Sequence, residues 1–437
     1  MKKLIRITTV PISLEKLLEG QLGFMKTHYT VIAVSANASA LQKVGQKEGV
    51  PVHHIALTRE ITLLKDLTAL VRMYFFLKKE KPSIVHTHTP KAGTVGMLAA
   101  WLARVPVRLH TVAGLPLVEV AGAKRVLLNL VEKLTYACAT NVYPNSKGLK
   151  EIILENNFTN PKKLKVLASG SSNGINTSYF NPQVITAAQK DNLRTTLGIT
   201  KNDFIFIFVG RLVGDKGINE LVAAFSKLHN EDLNEDKDEN KNKNLDKDLD
   251  KDQDENKDLN KDQDENSKLK TVTLSAVEGQ NSFLSTHPSS LLLVGPLETA
   301  LDPLLPETLT AIKNNKNIIS VGWQQDVRPY LAMSHCLAFP SYREGFPNVV
   351  MQAGAMGLPS IVSNINGCNE IIEANKNGLI IPVKDEVALY QAMHQVITNK
   401  TQYQQLANNA RPMITTRYEQ QVVWNTILEE YRLLGAP

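Results

Sequence analysis

A chain of 437 residues is too long for one ordinary domain and implies two, with room for extras. Hydrophobic residues make up 43%, enough for real cores, and three widely spaced cysteines (Cys138, Cys336, Cys368) suit neither a disulfide framework nor a metal pattern, which fits a reducing cytosolic setting. The net charge of +6 averages two opposite regions: residues 1–165 carry 24 Lys and Arg against 10 acids, and residues 231–268 carry 8 Lys against 16 acids. The basic half suits an anionic partner (a lipid surface, a phosphorylated acceptor or nucleic acid) or is an ordinary basic surface. No apolar run reaches the roughly 18 residues that a membrane span needs. The start, MKKLIRITTVPIS, is broken by Arg6, Thr8, Thr9 and Pro11 and reads as a first strand, not a signal peptide.

From the N-terminus, strands are expected at Leu4 to Ile7, Thr30 to Val34, His53 to Leu57, Ile84 to His86, Val107 to His110, Asn141 to Tyr143 and Lys165 to Leu167. Helical patterns lie between them, for example Leu63 to Lys79 and Lys124 to Cys138. Strands alternating with helices of this length imply βαβ units and a parallel sheet, whose ligands collect at the carboxyl ends of the strands. Those ends carry His86-Thr87-His88-Thr89-Pro90-Lys91, His110-Thr111 and Pro144-Asn145-Ser146. The two histidines at 86 and 88 have a metal-like spacing, but no further ligand cluster accompanies them. An acceptor-site loop holding His86, His88 and Lys91 is the preferred reading. The apolar run at 114–118, with Lys124 and Arg125 nearby, is either a membrane-touching loop or a buried turn.

After a turn-rich stretch and a linker near residues 178–200, the alternation starts afresh. Phe204 to Val209 is a continuous apolar strand ending in Gly210-Arg211-Leu212-Val213-Gly214-Asp215-Lys216-Gly217, with a helix from Ile218 to Leu228. The next strand, Leu291 to Gly295, arrives more than sixty residues later. An imperfect Asp/Lys/Asn/Glu repeat intervenes. It cannot bury enough surface to offset its ordering entropy, so disorder is expected over most of 231–288. Its Asp-x-Asp triplets, such as Asp250-Lys251-Asp252, follow the repeat and lack the glycine of a calcium loop, so no metal is expected there.

Further strands are expected at Ile318 to Val321, Cys336 to Phe339 and Pro359 to Val362, and a largely helical tail over Tyr403 to Leu434. Between the last two strands lies Pro340-Ser341-Tyr342-Arg343-Glu344-Gly345-Phe346-Pro347, then a helix from Asn348 to Met356 with Pro347 expected at its first position. A strand, a tight turn and a helix N-terminus make an anion site. A carboxylate at the same place suits hydroxyl donors, meaning sugar O–H groups beside a phosphate. The fold expected is α/β, two doubly wound domains in tandem facing each other across a crevice.

Two phrases, Gly210-Arg211-Leu212 to Lys216-Gly217 and Pro340-Ser341 to Glu344-Gly345-Phe346-Pro347-Asn348 with Gly357 and Pro359 after it, resemble the retaining glycosyltransferases of family 4, of GT-B fold. The resemblance covers most of the chain outside the insert. Its N-terminal phrases are similar to bacterial enzymes that extend lipid-linked oligosaccharides. It implies an acceptor domain over 1–185 and a nucleotide-sugar domain over 186–415. It also implies a last helix, 416–437, that returns to the first domain. The implied reaction is metal-independent, cofactor-free transfer of a hexose or N-acetylhexosamine from a nucleotide-sugar, UDP-linked in this reading, to a polyprenyl-diphosphate-linked saccharide. It would run peripherally on an anionic inner membrane face, with no nucleic-acid partner.

The resemblance also implies site roles. Arg211 and Lys216 would neutralise the leaving diphosphate, His110 would lie near the reacting carbon, and Glu344 would contact donor-sugar hydroxyls. Donor oxygens would meet the backbone of Gly210, Gly345, Phe346, Asn348 and Val349. At the family's second glutamate, eight residues after Glu344, this chain has Gln352, which can accept a ribose hydroxyl without charge assistance. The Gly-Gly turn common after the family's first strand is replaced by Thr9-Val10-Pro11-Ile12-Ser13. Two rival readings are a nucleotide-sugar 2-epimerase and a nucleotide-sugar-binding scaffold without turnover.

Overall fold

The computed structural model describes residues 1–58, 62–115, 122–228, 288–300 and 302–435. The acidic repeat and positions 116–118 of the apolar run lie outside the described residues. Two six-stranded parallel sheets organise the chain. The first contains β1 (Lys3–Ile7), β2 (Thr30–Ser35), β3 (Val52–His54), β4 (Ile84–His88), β5 (Val107–Val112) and β6 (Asn141–Pro144), in the order β3-β2-β1-β4-β5-β6. The second contains β7 (Phe204–Val209), β8 (Ser289–Val294), β9 (Ile318–Gly322), β10 (Cys336–Phe339), β11 (Ser360–Ser363) and β12 (Gly378–Ile381), in the order β12-β11-β10-β7-β8-β9. Strand order reverses at β1/β4 and at β7/β10, the places where open α/β sheets bind ligands.

The strands form where apolar residues run together, because both faces of each sheet are covered. Ile205 to Phe208 and Leu291 to Leu293 are fully buried and pair in register, Phe206 with Leu291 and Phe208 with Leu293. Two expectations are corrected. Lys165 to Leu167 is not a strand, since only Leu164 bridges to Val142. Pro347 is the N-cap of the helix Asn348–Ala355, with extended backbone (ψ 113°), rather than its first residue.

The chain packs as two compact units: Met1–Val184 with Ser341–Val383 and Leu406–Pro437, and Ile185–Pro340 with Lys384–Gln405. In the first unit, alternation along β1 sends Ile5 and Ile7 into one core layer and Leu4 into the other. The Leu4 layer also holds Val423, Ile427, Leu428 and Tyr431 of the helix Gln420–Leu434. The three cysteines are buried and unpaired. Among the described residues no helix is long and apolar enough to cross a membrane.

Candidate functional site

The residues singled out divide between the units, and each unit builds its part from different materials. In the second unit Gly210, Arg211 and Lys216 lie on the loop that leaves β7. Hydrogen bonds from Gly210 N to Val294 O (2.9 Å) and Leu212 N to Pro296 O (2.9 Å) seat this loop on the end of β8 and the residues just after it. Arg211 is exposed and pairs with Glu298, Nη1 to Oε2 at 2.9 Å. Lys216 ends the short 3-10 turn Gly214–Lys216. Gly217 closes it with φ +70°, a left-handed conformation. A Cβ on Gly217 would sit 2.2 Å from the carbonyl oxygen of Pro340, beyond the end of β10. The cation-bearing loop is thus pinned at the carboxyl ends of the two strands where this sheet's order reverses. Gly217→Ala is expected to cost about 1–2 kcal/mol for the left-handed backbone alone, and to displace Lys216 as well. A drop of several degrees in Tm together with weaker nucleotide binding checks it; wild-type values for both would refute it.

In the first unit the turn carrying Glu344 is held by its neighbours. Ser341 Oγ donates to Glu344 Oε1 at 3.2 Å. Asn366 Nδ2 donates to the Gly345 carbonyl at 2.7 Å, while Ser146 Oγ donates to Asn366 Oδ1 at 2.7 Å. A Cβ on Gly345 would lie 1.9 Å from the carbonyl oxygen of Ala113, so only glycine lets the turn come this close to the end of β5. The turn therefore lies against Ala113, three residues beyond His110. Phe346 meets the ring of Tyr418 edge-on at 5.5 Å.

Two helix N-termini in this unit differ in a way that bears on ligands. The helix Lys147–Glu155 is closed: Ser146 caps it, and the Glu370 carboxylate accepts from Lys147 N (2.8 Å) and Gly148 N (3.1 Å). The helix Asn348–Ala355 begins at Pro347, whose side chain provides no cap for its first N–H groups. Asn348 and Val349 supply that first turn, and Gln352, half-buried, follows Asn348 by one turn.

His110 lies in β5 with its ring over Gly93 and its Nδ1 2.8 Å from Thr87 Oγ1. Burial holds its pKa down at about 4, so the ring is neutral at pH 7. The expected loop placement is corrected: the strand expected to end at His86 runs on through His88, so both histidines lie within β4, 1% and 2% exposed. They face the layer opposite His110, toward the helix Gln420–Leu434. Fully buried Arg6 donates to Tyr431 Oη (2.6 Å) and Gln21 Oε1 (2.5 Å), and to His88 Nε2 at 2.8 Å. An arginine only donates, so Nε2 of His88 is the acceptor and its proton sits on Nδ1. His86 joins Tyr431 Oη through Nδ1 (2.6 Å) and Thr111 Oγ1 through Nε2 (2.7 Å). Burial first, then the nearby positive charges, depress both imidazoles well below their ordinary value. Lys91 is half-buried in an ion pair with Asp66 at 2.5 Å. Among the described residues no group of three or more His, Cys, Asp or Glu side chains is placed to hold a metal ion.

The side chains that position the Glu344 turn, Asn366 and Ser146, carry no local signal of that role. Their partners are 21 and 220 residues distant.

Residues 23–170 match the family model of the glycosyl transferase 4-like domain, and residues 276–399 match that of glycosyl transferases group 1. The chain is 28% identical over 441 residues to the capsular polysaccharide biosynthesis glycosyltransferase CapM of Staphylococcus aureus, covering 98% of this chain and 97% of that one. It is 28% identical over 348 residues to the UDP-Gal:alpha-D-GlcNAc-diphosphoundecaprenol alpha-1,3-galactosyltransferase of Escherichia coli, covering 79% and 74%. Among solved structures, Anabaena HepE in complex with UDP and glucose superposes with a TM-score of 0.72 at 15% identity, over 99% of this chain and all of that one.

Proposed function

Because the chain is a glycosyltransferase of the bacterial family 4 type, we propose that it moves a hexose or N-acetylhexosamine from a UDP-sugar to a polyprenyl-diphosphate-linked saccharide. The transfer retains anomeric configuration, needs no metal, and serves cell-surface polysaccharide or glycan synthesis at the inner face of the plasma membrane. The observation that supports the reading is the loop Gly210 to Gly217, which carries Arg211 and Lys216 at the switch point of the second sheet. The names of the Escherichia coli and Campylobacter jejuni relatives, both acting on undecaprenyl-diphosphate sugars, support the acceptor class.

Each residue has a part that its chemistry suits. As the nucleoside diphosphate departs, Arg211 and Lys216 take the charge that builds on its oxygens. Glu344 accepts from donor-sugar hydroxyls, and the uncapped N–H groups of Asn348 and Val349 hold donor oxygens. Neutral His110 donates or accepts a hydrogen bond beside the reacting carbon. Substitution is front-face: the acceptor oxygen bonds to the anomeric carbon as the phosphate oxygen leaves and takes the acceptor's proton.

Gln352 accepts from the ribose hydroxyls without charge. Gln352→Glu is expected to tighten UDP binding by roughly 1 kcal/mol, about five- to tenfold in Kd, because a charged acceptor makes the stronger bond. Calorimetry with UDP measures it; an unchanged Kd removes Gln352 from the ribose.

The proposal is tested by nucleotide release from a panel of UDP-, GDP- and ADP-sugars, each with and without membrane lipid extract, beside Glu344→Ala. Release that depends on one UDP-sugar, needs the extract and is lost in the variant is expected. A free epimer formed without extract would make the protein a 2-epimerase, and binding without release would make it a scaffold.

A further inference from the structure

One face of the first sheet is covered by three helices. The middle one, Pro90–Leu102, is rich in small residues (Ala92, Gly93, Gly96, Ala99, Ala100) and packs against Leu63–Glu80 on one side and Gly122–Cys138 on the other. The Lys91–Asp66 ion pair and a hydrogen bond from Thr135 to Thr94 (3.2 Å) tie the three together. Met73, Phe76, Met97 and Tyr136 bury the inner side of this layer.

The outer side is apolar as well. On Leu63–Glu80, Leu63, Leu67, Val71 and Phe75 recur every four residues with Leu64 beside them, and all are exposed, Leu64 at 83% and Phe75 at 65%. On Gly122–Cys138, Val126, Leu127, Leu130 and Leu134 repeat the pattern, Val126 at 69%. Trp101, at the end of the middle helix, is 52% exposed. Scattered apolar residues on a surface need no explanation, but two neighbouring stripes do.

Charge identifies what covers them. The exposed charges on the two outer helices are Lys65, Arg72, Lys78, Lys79, Lys124 and Lys133, all positive. Their three acids are withdrawn: Asp66 pairs with Lys91, Glu80 with Lys3 at 2.6 Å, and Glu132 is buried. Apolar stripes whose exposed charges, among the described residues of the two helices, are all positive complement an anionic bilayer, where leucines and phenylalanine enter the acyl boundary and lysines meet phosphates. The same uniform charge opposes pairing with a second copy of this face.

We infer that the outer faces of Leu63–Glu80 and Gly122–Cys138, with Trp101 between them, are the surface on which the protein lies against an anionic membrane. The inference deepens the proposed function, since a lipid-linked acceptor is what such docking serves. The helices run about 25 Å at 1.5 Å per residue, so the layer lies flat on the bilayer rather than touching it with one loop.

The test is co-sedimentation of the full chain with vesicles of phosphatidylcholine alone or with about one-third phosphatidylglycerol. Wild type is expected to bind the anionic vesicles at least tenfold better. Leu64→Glu/Leu67→Glu and Leu130→Glu are expected to lose that binding tenfold or more, and Lys78→Glu/Lys79→Glu to lose the preference for phosphatidylglycerol. All should keep wild-type Tm and wild-type release with a short-prenyl, water-dispersed acceptor. Val387→Glu, an exposed apolar position elsewhere, is expected to change nothing. Vesicle binding that survives the leucine variants, or is absent in wild type, overturns the inference. Wild-type dimers broken by the same variants, without vesicle binding, would give the face to a second copy. Release with the short-prenyl acceptor reads the proposed function separately, so the two can fail independently.

Discussion

Arg211→Ala is expected to slow nucleotide release by 10²- to 10³-fold at saturating donor, with Lys216→Ala close behind. Removing one fixed donor from the place where transition-state charge develops typically costs about 3–4 kcal/mol of barrier. Neither residue is expected to matter comparably for folding. Arg211 is 45% exposed and its ion pair with Glu298 is open to water, the kind of pair worth about 0–1 kcal/mol. The signature is therefore a large fall in kcat with Tm unchanged. Glu298→Gln is the control: it frees the guanidinium without removing it and should leave kcat within about twofold. Equal losses in Tm and kcat for Arg211→Ala would make the loop merely structural. Intact turnover would remove Arg211 from the diphosphate.

The second large effect is on acid stability. His110 and His335 are each held at about 4, chiefly by burial, against an ordinary value of 6.5, and His86 and His88 lie well below theirs. A depressed histidine stays neutral in the folded chain while the unfolded chain takes up a proton. Stability is thus unaffected above about pH 6.5 and falls as pH drops from there toward 4. Each shift of this size is worth about 3 kcal/mol over that window. Two or more exhaust much of the roughly 5–15 kcal/mol that a domain has. For His86 and His88 burial is the first cause and nearby positive charge the second; at His88 a proton on Nε2 would also remove the acceptor that Arg6 uses. Urea unfolding between pH 7.5 and 4.5 should show midpoints flat above 6.5 and falling steeply below it. A flat profile throughout would mean that these rings take up protons without cost.

Much of the architecture was legible because it rests on local pattern. Phe204 to Val209 and Leu291 to Leu293 announce buried parallel strands, and the lengths between strands announce helices. The turn at Glu344 was legible through its own glycine and proline chemistry. What failed to show is what depends on distant partners. Thr87-His88 reads as a polar loop beyond the strand that ends at His86, yet the strand continues through both, and its two histidines are made tolerable by Arg6 and by Tyr431, 345 residues from His86. Gly345 shows no sign in its neighbours that Ala113 will lie against it. The short strand Gly378–Ile381 escaped because four residues after an Asn-Gly turn carry too little pattern, and it is paired along its length with β11.

The buried meeting of Arg6 with Tyr431 also bears on how the protein is made. The first strand is made more than 400 residues before its core partners Val423, Ile427 and Tyr431. At about 5–20 residues per second, the nascent first unit waits on the order of ten seconds or more with a guanidinium and an apolar groove uncovered. Completion of the first unit therefore waits until the helix Gln420–Leu434 has been made. A chain cut short before Tyr431 would keep its N-terminal strands and lose the partner that makes them stable.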